Sequence, residues 1–542
     1  WLKIQTPESV SLKKAEIESQ PSWQQVGSDI LGSTTSTQFG KSVDCNHDGT
    51  RIISSAYQTS SSPVGEVRVY DWDGSVWTQV GNTLVGPQSS PTQGYFGETS
   101  VSISGDGTII AVGSRQEDPD SGTDKGTVRV FYLNGAVWTV LSDSSSETTN
   151  IGTGTSALRN DIFVGVANSD QLGYQTKLSY DGKTILMTAP NFDDSSAGTD
   201  VGQARIYTYS NGAWSKKGDF LIGGANEHLG YSADMSEDGN CIVLGGYAGN
   251  NDNAWIYIWD GSSWVNRGAS GTNPAFTRTD SDQFGKSCAI SNDGTVIAFG
   301  VFEADITDGA LADNTGIVQV YHWNGSAWVL KGTLVNKDAT DDTFGSAVSL
   351  SGDGKRLIVG AQDDSTTSAN NGRLYTFEYN GSTWVRREPF TSIGISSGVG
   401  DDTEIGRVRT TVISRDGSVI LSGETGFNSG NGTDSGRVRV FSMPSNIKSI
   451  WGSNDDVNWT KITTAPTREE ATSNVAGLAF GYDDRLEFKN LDNPNYYKYH
   501  AIVADAFTQL KEVKLYGIRN RGSSSLHDGT LTLTKNLIVG GE

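Results

Sequence analysis

One unit recurs seven times along the chain, and a fold that ignores this period cannot account for it. Each copy opens on an aromatic or aliphatic residue followed by glycine: Phe39-Gly40, Phe96-Gly97, Leu172-Gly173, Leu229-Gly230, Phe284-Gly285, Phe344-Gly345 and Ile405-Gly406. About nine residues later comes Asp-Gly, at Asp48-Gly49, Asp106-Gly107, Asp181-Gly182, Asp238-Gly239, Asp293-Gly294, Asp353-Gly354 and Asp416-Gly417. Asp-Gly between alternating segments signals a two-residue hairpin, because its turn requires positive φ. An apolar strand follows, as in Ile109-Ile110-Ala111-Val112-Gly113, then a loop and an alternating strand such as Val128-Arg129-Val130-Phe131. A second turn, such as Asn134-Gly135 or Asp260-Gly261, leads to a strand at Trp77, Trp138, Trp214, Trp264, Trp328 or Trp384. Each unit thus predicts four antiparallel strands, A to D.

Seven such sheets in one chain predict an all-β fold, a seven-bladed β-propeller in which each sheet buries both faces against its neighbours. The seventh unit reaches strand C at Val438-Arg439-Val440-Phe441 but lacks a Trp strand, while an orphan Trp23-Gln24-Gln25-Val26-Gly27 precedes the first unit. Supplying that strand to the seventh blade closes the ring from both ends of residues 21–442. The two ends of this segment then meet, which permits insertion into another domain. The sequence predicts residues 1–20 and 443–518 as the halves of that domain, and 519–542 as a linker and the start of a stalk.

The flanks carry Gly452-Ser453-Asn454-Asp455, Asn458-Trp459-Thr460 and a closing Leu515-Tyr516-Gly517. These resemble the discoidin, or factor 5/8 type C, family, which implies a galactose-binding-like jelly roll. The repeats resemble the phenylalanyl-glycyl repeats of integrin α chains and the Trp- and Gly-rich propeller repeats of large-virus surface proteins. That resemblance implies attachment at an extracellular or virion surface. The alternating Asp528-Gly529-Thr530-Leu531-Thr532-Leu533-Thr534 is similar to fibre shafts and implies a homo-oligomer formed through the tail.

Charge narrows the partners. The chain carries 41 Lys and Arg against 63 Asp and Glu, a net of −22, which disfavours nucleic acid and anionic membrane surfaces. No apolar run approaches the roughly 20 residues that span a bilayer, so no membrane insertion is expected. The start at Trp1, with no Met and no charged-then-apolar leader, predicts a processed chain or a longer parent. Cys45, Cys241 and Cys288 are too few for a disulfide framework or a paired-Cys zinc site and suit small buried positions.

The candidate metal ligands are Asp44, Asn46 and Asp48, oxygen donors at alternate positions before Gly49, as in a calcium loop. An ordinary hairpin is the competing reading, since the expected later Glu is Ser55 and the other six copies keep only Asp-Gly. Ca2+ is therefore a possible ligand and no cofactor is required. Long Asp-rich B–C loops supply the candidate ligand-binding residues Asp118, Asp120, Asp124, Asp193, Asp194, Asp305 and Asp308; these loops suit either solubility or a divalent-ion-dependent binding face. The recurrent Arg68, Arg129, Arg205 and Arg439 on strand C, and the Trp of each strand D, read as packing between blades rather than as ligand contacts. The five His have no triad or metal spacing. The expected function is non-enzymatic attachment to surface glycans or proteins through the face bearing the B–C and D–A loops. A glycan-cleaving propeller enzyme and a ligand-free spacer are the alternatives.

Overall fold

The computed structural model describes residues 23–57, 65–87, 95–119, 122–141, 162–247, 252–268, 274–278, 282–304, 315–335, 343–363, 372–387, 405 and 409–442, and the backbone of seven strands between 447 and 532. The chain divides into two compact units, of which the larger comprises Gln25–Trp72 and Trp77–Phe441. That unit consists of seven antiparallel sheets, each with its strands in the spatial order A-B-C-D, and forms a seven-bladed propeller with no helix among the described residues. Blade one, for example, runs Phe39–Cys45, Arg51–Ala56, Glu66–Trp72 and Trp77–Gln79.

The ring closes as the repeat predicts. In blade seven, strands Thr411–Ile413, Val419–Glu424 and Arg437–Ser442 are completed by Gln24–Gln25 from the start of the described chain. Val26 N–H donates to Val440 O at 2.8 Å, and further along Ile30 and Leu31 pair antiparallel with Val438 and Arg437. A carboxylate reinforces the seam: Asp29 accepts from Arg437 Nη1 at 2.8 Å.

Three glycines explain why blades stack so closely. In the six opening pairs whose glycine is described, that glycine takes positive φ, 96° at Gly40, and the residue before it is buried, fully so at Phe39, Leu172, Leu229 and Phe344. A glycine in strand B lies against that pair in the next blade, so a Cβ on Gly113, Gly245, Gly300 or Gly423 would fall 1.8 to 2.1 Å from the carbonyl oxygen of Gly173, Gly285, Gly345 or Gly40. A third glycine opens strand C and forms a parallel bridge to the next blade, as Gly126 does with Leu172 and Gly436 with Phe39. Any side chain at these positions would push two sheets apart.

The outer rim uses a tryptophan clamp. The indole N–H of Trp77, Trp138, Trp264 and Trp328 donates to the carbonyl of Val26, Val80, Lys217 and Arg267 on the preceding blade, at 2.7 to 3.0 Å. Four residues after each clamp Trp in five blades stands Gly27, Gly81, Gly218, Gly268 or Gly332, which receives the next blade's indole. The rim strand also differs from the simple expectation. In five blades it breaks after Trp, and a short second piece, such as Leu84–Val85 or Leu221–Ile222, returns to pair with the start of strand C. In blade five it continues as Trp328–Val335 with a register shift near Gly332.

The A–B turns correct the two-residue hairpin expectation. Only the glycine has positive φ, 66° at Gly49 and 73° at Gly107, and the loop holds four residues. The Asp side chain closes it by accepting from the amide two residues on, as Asp106 does from Thr108 at 3.0 Å. In six blades a serine two residues before the Asp donates to that carboxylate and accepts the first amide of strand B, as Ser104 does with Asp106 and Ile109.

The smaller unit includes Ser442–Glu542. Its described strands form two sheets. One runs Thr460–Thr464, Ile447–Ser453, Tyr499–Ala504. The other runs Leu478–Gly481, Arg485–Phe488, Glu512–Leu515, Thr530–Thr532, with a parallel central pair. The expected contribution of residues 1–20 lies outside the described residues.

Candidate functional site

Strand A of every blade is innermost, because side chains from opposite A strands meet across the axis. At the A–B turn end, His47 Nδ1 of blade one lies 2.7 Å from Glu237 Oε1 of blade four. Arg415 of blade seven reaches Asp234 Oδ1 (3.1 Å) and the carbonyls of Ile290 (2.8 Å) and Met235 (3.1 Å). Lys177 stands 3.9 Å from Asp234, Asn292 donates to Glu237, and the His47 ring meets Tyr180 edge-on at 5.5 Å. Backbone bonds join the turns around this collar, from His47 N to Gly105 O, Gly105 N to Tyr180 O, Tyr180 N to Glu237 O, Asn292 N to Gly352 O, Gly352 N to Arg415 O and Asp416 N to His47 O. This end of the channel is thus filled by a charged plug.

Within the plug, the hydrogen bond to Glu237 raises the His47 imidazole above its ordinary 6.5, outweighing burial that opposes the charge. Burial pushes the Asp44 carboxyl up, with Lys177 partly offsetting it. Three carboxylates, Asp44, Asp234 and Glu237, face Lys177, Arg415 and His47, so the group is balanced when His47 is protonated.

The opposite end carries the long B–C and D–A loops, and here aromatic rings gather. Tyr174 and Tyr231, each directly after an opening Leu-Gly pair, stand 5.0 Å apart, and Tyr231 lies 5.9 Å from Tyr247 at the end of strand B. Lys286 Nζ of blade five sits 3.6 Å from the Tyr247 centroid, and the Arg409 guanidinium of blade seven 4.4 Å from that of Tyr174. Tyr57 and Tyr95 pair at 5.0 Å, and Arg115 binds Glu98 at 2.9 Å. Sequence reasoning missed this ring. Its signal was the residue after the first six opening pairs, Lys41, Glu98, Tyr174, Tyr231, Lys286 and Ser346, which the repeat register aligns at one height.

The sequence-derived metal candidates serve the first blade. Asp44 accepts from Cys45 N (2.9 Å) and from Ile103 N of blade two (3.1 Å). Asn46 takes the serine's place, accepting Arg51 N at 2.9 Å, and Asp48 accepts Thr50 N (3.0 Å) and its hydroxyl (2.6 Å). Their oxygens are directed to amides of the hairpin and of the neighbouring blade, an arrangement that does not fit a calcium cage. Among the described residues no group of three or more His, Cys, Asp or Glu is arranged to hold a metal.

The acidic-loop candidates stabilise their own loops. Asp118, 3% exposed, accepts from Asp124 N and Lys125 N, both at 3.1 Å, which brings Asp118 and Asp124 together in one loop. Asp193 accepts Asp200 N at 2.7 Å, and Asp194 accepts Ser196 N and Ala197 N at 2.9 and 2.8 Å. Asp120, Asp305 and Asp308 lie outside the described residues. The strand C arginines are packed, as expected: Arg68 pairs with Glu66, Arg129 with Glu117 and Arg439 with Glu424, while Arg205 is fully buried and bonded to Gln203 and to Val164 O. Cys45 and Cys241 are buried and Cys288 partly so; burial pushes the Cys241 and Cys288 thiols up to about 12, so neither is a thiolate near neutral pH.

Fold and repeat together define a seven-bladed propeller. The FG-GAP repeat family matches residues 328–377, from strand D of blade five through strand C of blade six. No curated protein matches the chain. Among solved structures, the β-propeller domain of Cps50 (Swd1) from Myceliophthora thermophila is similar at 11% identity and a TM-score of 0.43, covering 78% of this chain and 100% of that one. The periplasmic gluconolactonase PpgL of Pseudomonas aeruginosa is similar at 12% identity and a TM-score of 0.41, covering 88% and 99%.

Proposed function

We propose that the chain is a non-enzymatic recognition module of an extracellular or virion surface, which attaches to surface glycans or proteins through its B–C and D–A loop face. One observation carries this: the two ends of the channel differ in chemistry. At the A–B end the Asp and Ser side chains are consumed in closing hairpins and the charged groups are paired in the plug. At the other end aromatic and cationic side chains gather beneath the long loops. Binding residues concentrate on loops held by a rigid scaffold. The proposal includes a discoidin-like jelly roll built from both flanks and oligomerisation through the tail. Neither nucleic acid nor a membrane is a partner in this proposal, and calcium is not required.

The test compares attachment of the intact protein to glycan arrays and to cell surfaces after changes on either face. Substituting Asp193, Asp194 and Asp200 together is expected to weaken attachment, whereas substituting the exposed turn residues Ser75 and Ser262 leaves it unchanged. Equal loss from both sets, or turnover of an arrayed glycan, would contradict the proposal.

A further inference from the structure

We propose that the channel mouth on the long-loop side binds a carboxylated sugar, with Lys286 and Arg409 holding the acid group and Tyr174, Tyr231 and Tyr247 supporting the ring. The inference rests on the attachment function above and names the ligand chemistry of that face.

The three tyrosines form one aromatic cluster across blades three and four, with successive centroids 5.0 and 5.9 Å apart; Tyr174 is buried, and Tyr231 and Tyr247 are partly exposed. The two cations reach it from other blades. Lys286 Nζ is 3.6 Å from the Tyr247 centroid and 5.8 Å from that of Tyr231, and Arg409 is 4.4 Å from Tyr174. Their hydrogen-bond partners are neutral. Lys286 donates to the Gln283 side chain, and Gln175, with its amide turned to satisfy both partners, accepts from Arg409 Nε (2.8 Å) and Nη2 (3.1 Å). Among the described residues neither cation has a carboxylate within ion-pair distance.

Lys217 and Arg267 at the rim are likewise bonded to neutral groups, whereas other cations have carboxylate partners. Arg129 pairs with Glu117, Arg115 with Glu98, and Arg437 and Arg439 with Glu424. Lys286 and Arg409 are half-buried, and partial burial lowers the Lys286 pKa, with Glu303 and Asp252 giving only part of the compensation the ammonium needs. A bound anion would supply the rest.

The aromatic cluster selects among anions. The C–H face of a pyranose stacks on the negative face of a tyrosine ring, here that of Tyr231, because Lys286 and Arg409 already lie over Tyr247 and Tyr174, and phenolic hydroxyls both donate to and accept from sugar hydroxyls. A lone carboxylate, or an aspartate side chain of a peptide, would leave that ring face without a partner. A polyanion such as nucleic acid would meet the field of a chain whose net charge is −22.

Saturation-transfer NMR and calorimetry on the full chain would use 3′-sialyllactose and trigalacturonate, against lactose and the trigalacturonate methyl ester. The acidic sugars are expected to bind about tenfold or more tightly than their neutral counterparts. Lys286→Gln and Arg409→Gln should each weaken binding by about ten- to a hundredfold, the range spanned by one charge-assisted hydrogen bond. Lys286→Arg should retain it within a few-fold, and Tyr231→Leu should lose it with an unchanged unfolding curve. Equal binding of neutral sugars, an aspartate-rich peptide bound as tightly as the sugars, or no acidic sugar bound at millimolar concentration would each overturn the inference. The two proposals fail separately. Attachment that maps to the loop face without acidic-sugar binding removes only this one, and acidic-sugar binding at the mouth with attachment mapping elsewhere removes only the other.

Discussion

The tryptophan clamp makes a quantitative claim about why the blades hold together, and one glycine substitution isolates it. In Gly81→Ala the new Cβ would lie 2.6 Å from Trp138 Cδ1, on a backbone whose φ is +74°. The conformational cost of alanine in that region is about 1–2 kcal/mol, and forcing a methyl against a packed ring adds about 1–3 kcal/mol. Gly135→Ala is the control, because its φ is +62° and nothing lies within 4 Å of its Cβ. It incurs only the conformational cost. Urea unfolding followed by tryptophan fluorescence and circular dichroism should therefore show Gly81→Ala less stable than Gly135→Ala by about 1–3 kcal/mol. The excess should shrink when Trp138, which is 3% exposed and donates to Val80 O, is replaced by Ala, since the cycle then removes the atom that collides. Equal losses from the two glycine variants would show that the rim indole does not clamp the blades.

Other consequences are measurable on the same protein. Glu424 is fully buried and accepts from Arg437 Nε at 2.7 Å and from Arg439, so Glu424→Gln should cost about 3–5 kcal/mol; a thermal midpoint unchanged from wild type would refute its role in the seam. The raised His47 pKa means that the folded state holds this proton more tightly, so its contribution is fully present below 6.5 and is lost as pH rises through the folded value. The stability gap between wild type and His47→Gln should accordingly be wider at pH 5.5 than at pH 8.5, and a constant gap would contradict the pairing with Glu237. Because Asn46 and Asp48 are engaged with Arg51 N and Thr50 N, chelation by EDTA should leave the propeller's melting unchanged, and a drop restored by calcium would show that these oxygens bind metal after all.

What the sequence revealed depended on how local each requirement is. The blade count, the A-to-D order and the closing strand were legible because Phe-Gly, Asp-Gly and the strand D Trp repeat in register, and each answers a need met within one blade or at its junction. The calcium-like Asp44-Cys45-Asn46-His47-Asp48 was ambiguous for the same reason: Asn46 performs the task of the serine in six other turns, which a single loop cannot reveal. That Asp118 and Asp194 bind amides of their own loops was not legible either, because an Asp-rich loop looks alike whether its carboxylates face outward or inward. The plug and the mouth were not legible, since His47 and Glu237 are 190 residues apart and Arg409 meets Tyr174 only because blades seven and three face each other across the axis.

Oriented tethering tests most directly the claim that one face of the ring does the recognising. In a Cys288→Ser background, where Cys45 and Cys241 are buried, a thiol at Ser262→Cys on a C–D turn leaves the long-loop face free, and one at Thr199→Cys in a B–C loop holds that face against the support. Both positions are exposed. The account predicts capture of glycan-bearing cells and acidic-glycan-coated beads by the Ser262→Cys surface and little or none by the Thr199→Cys surface. Equal capture, or capture by the Thr199→Cys surface alone, would contradict it, and capture in neither orientation would remove the attachment function itself.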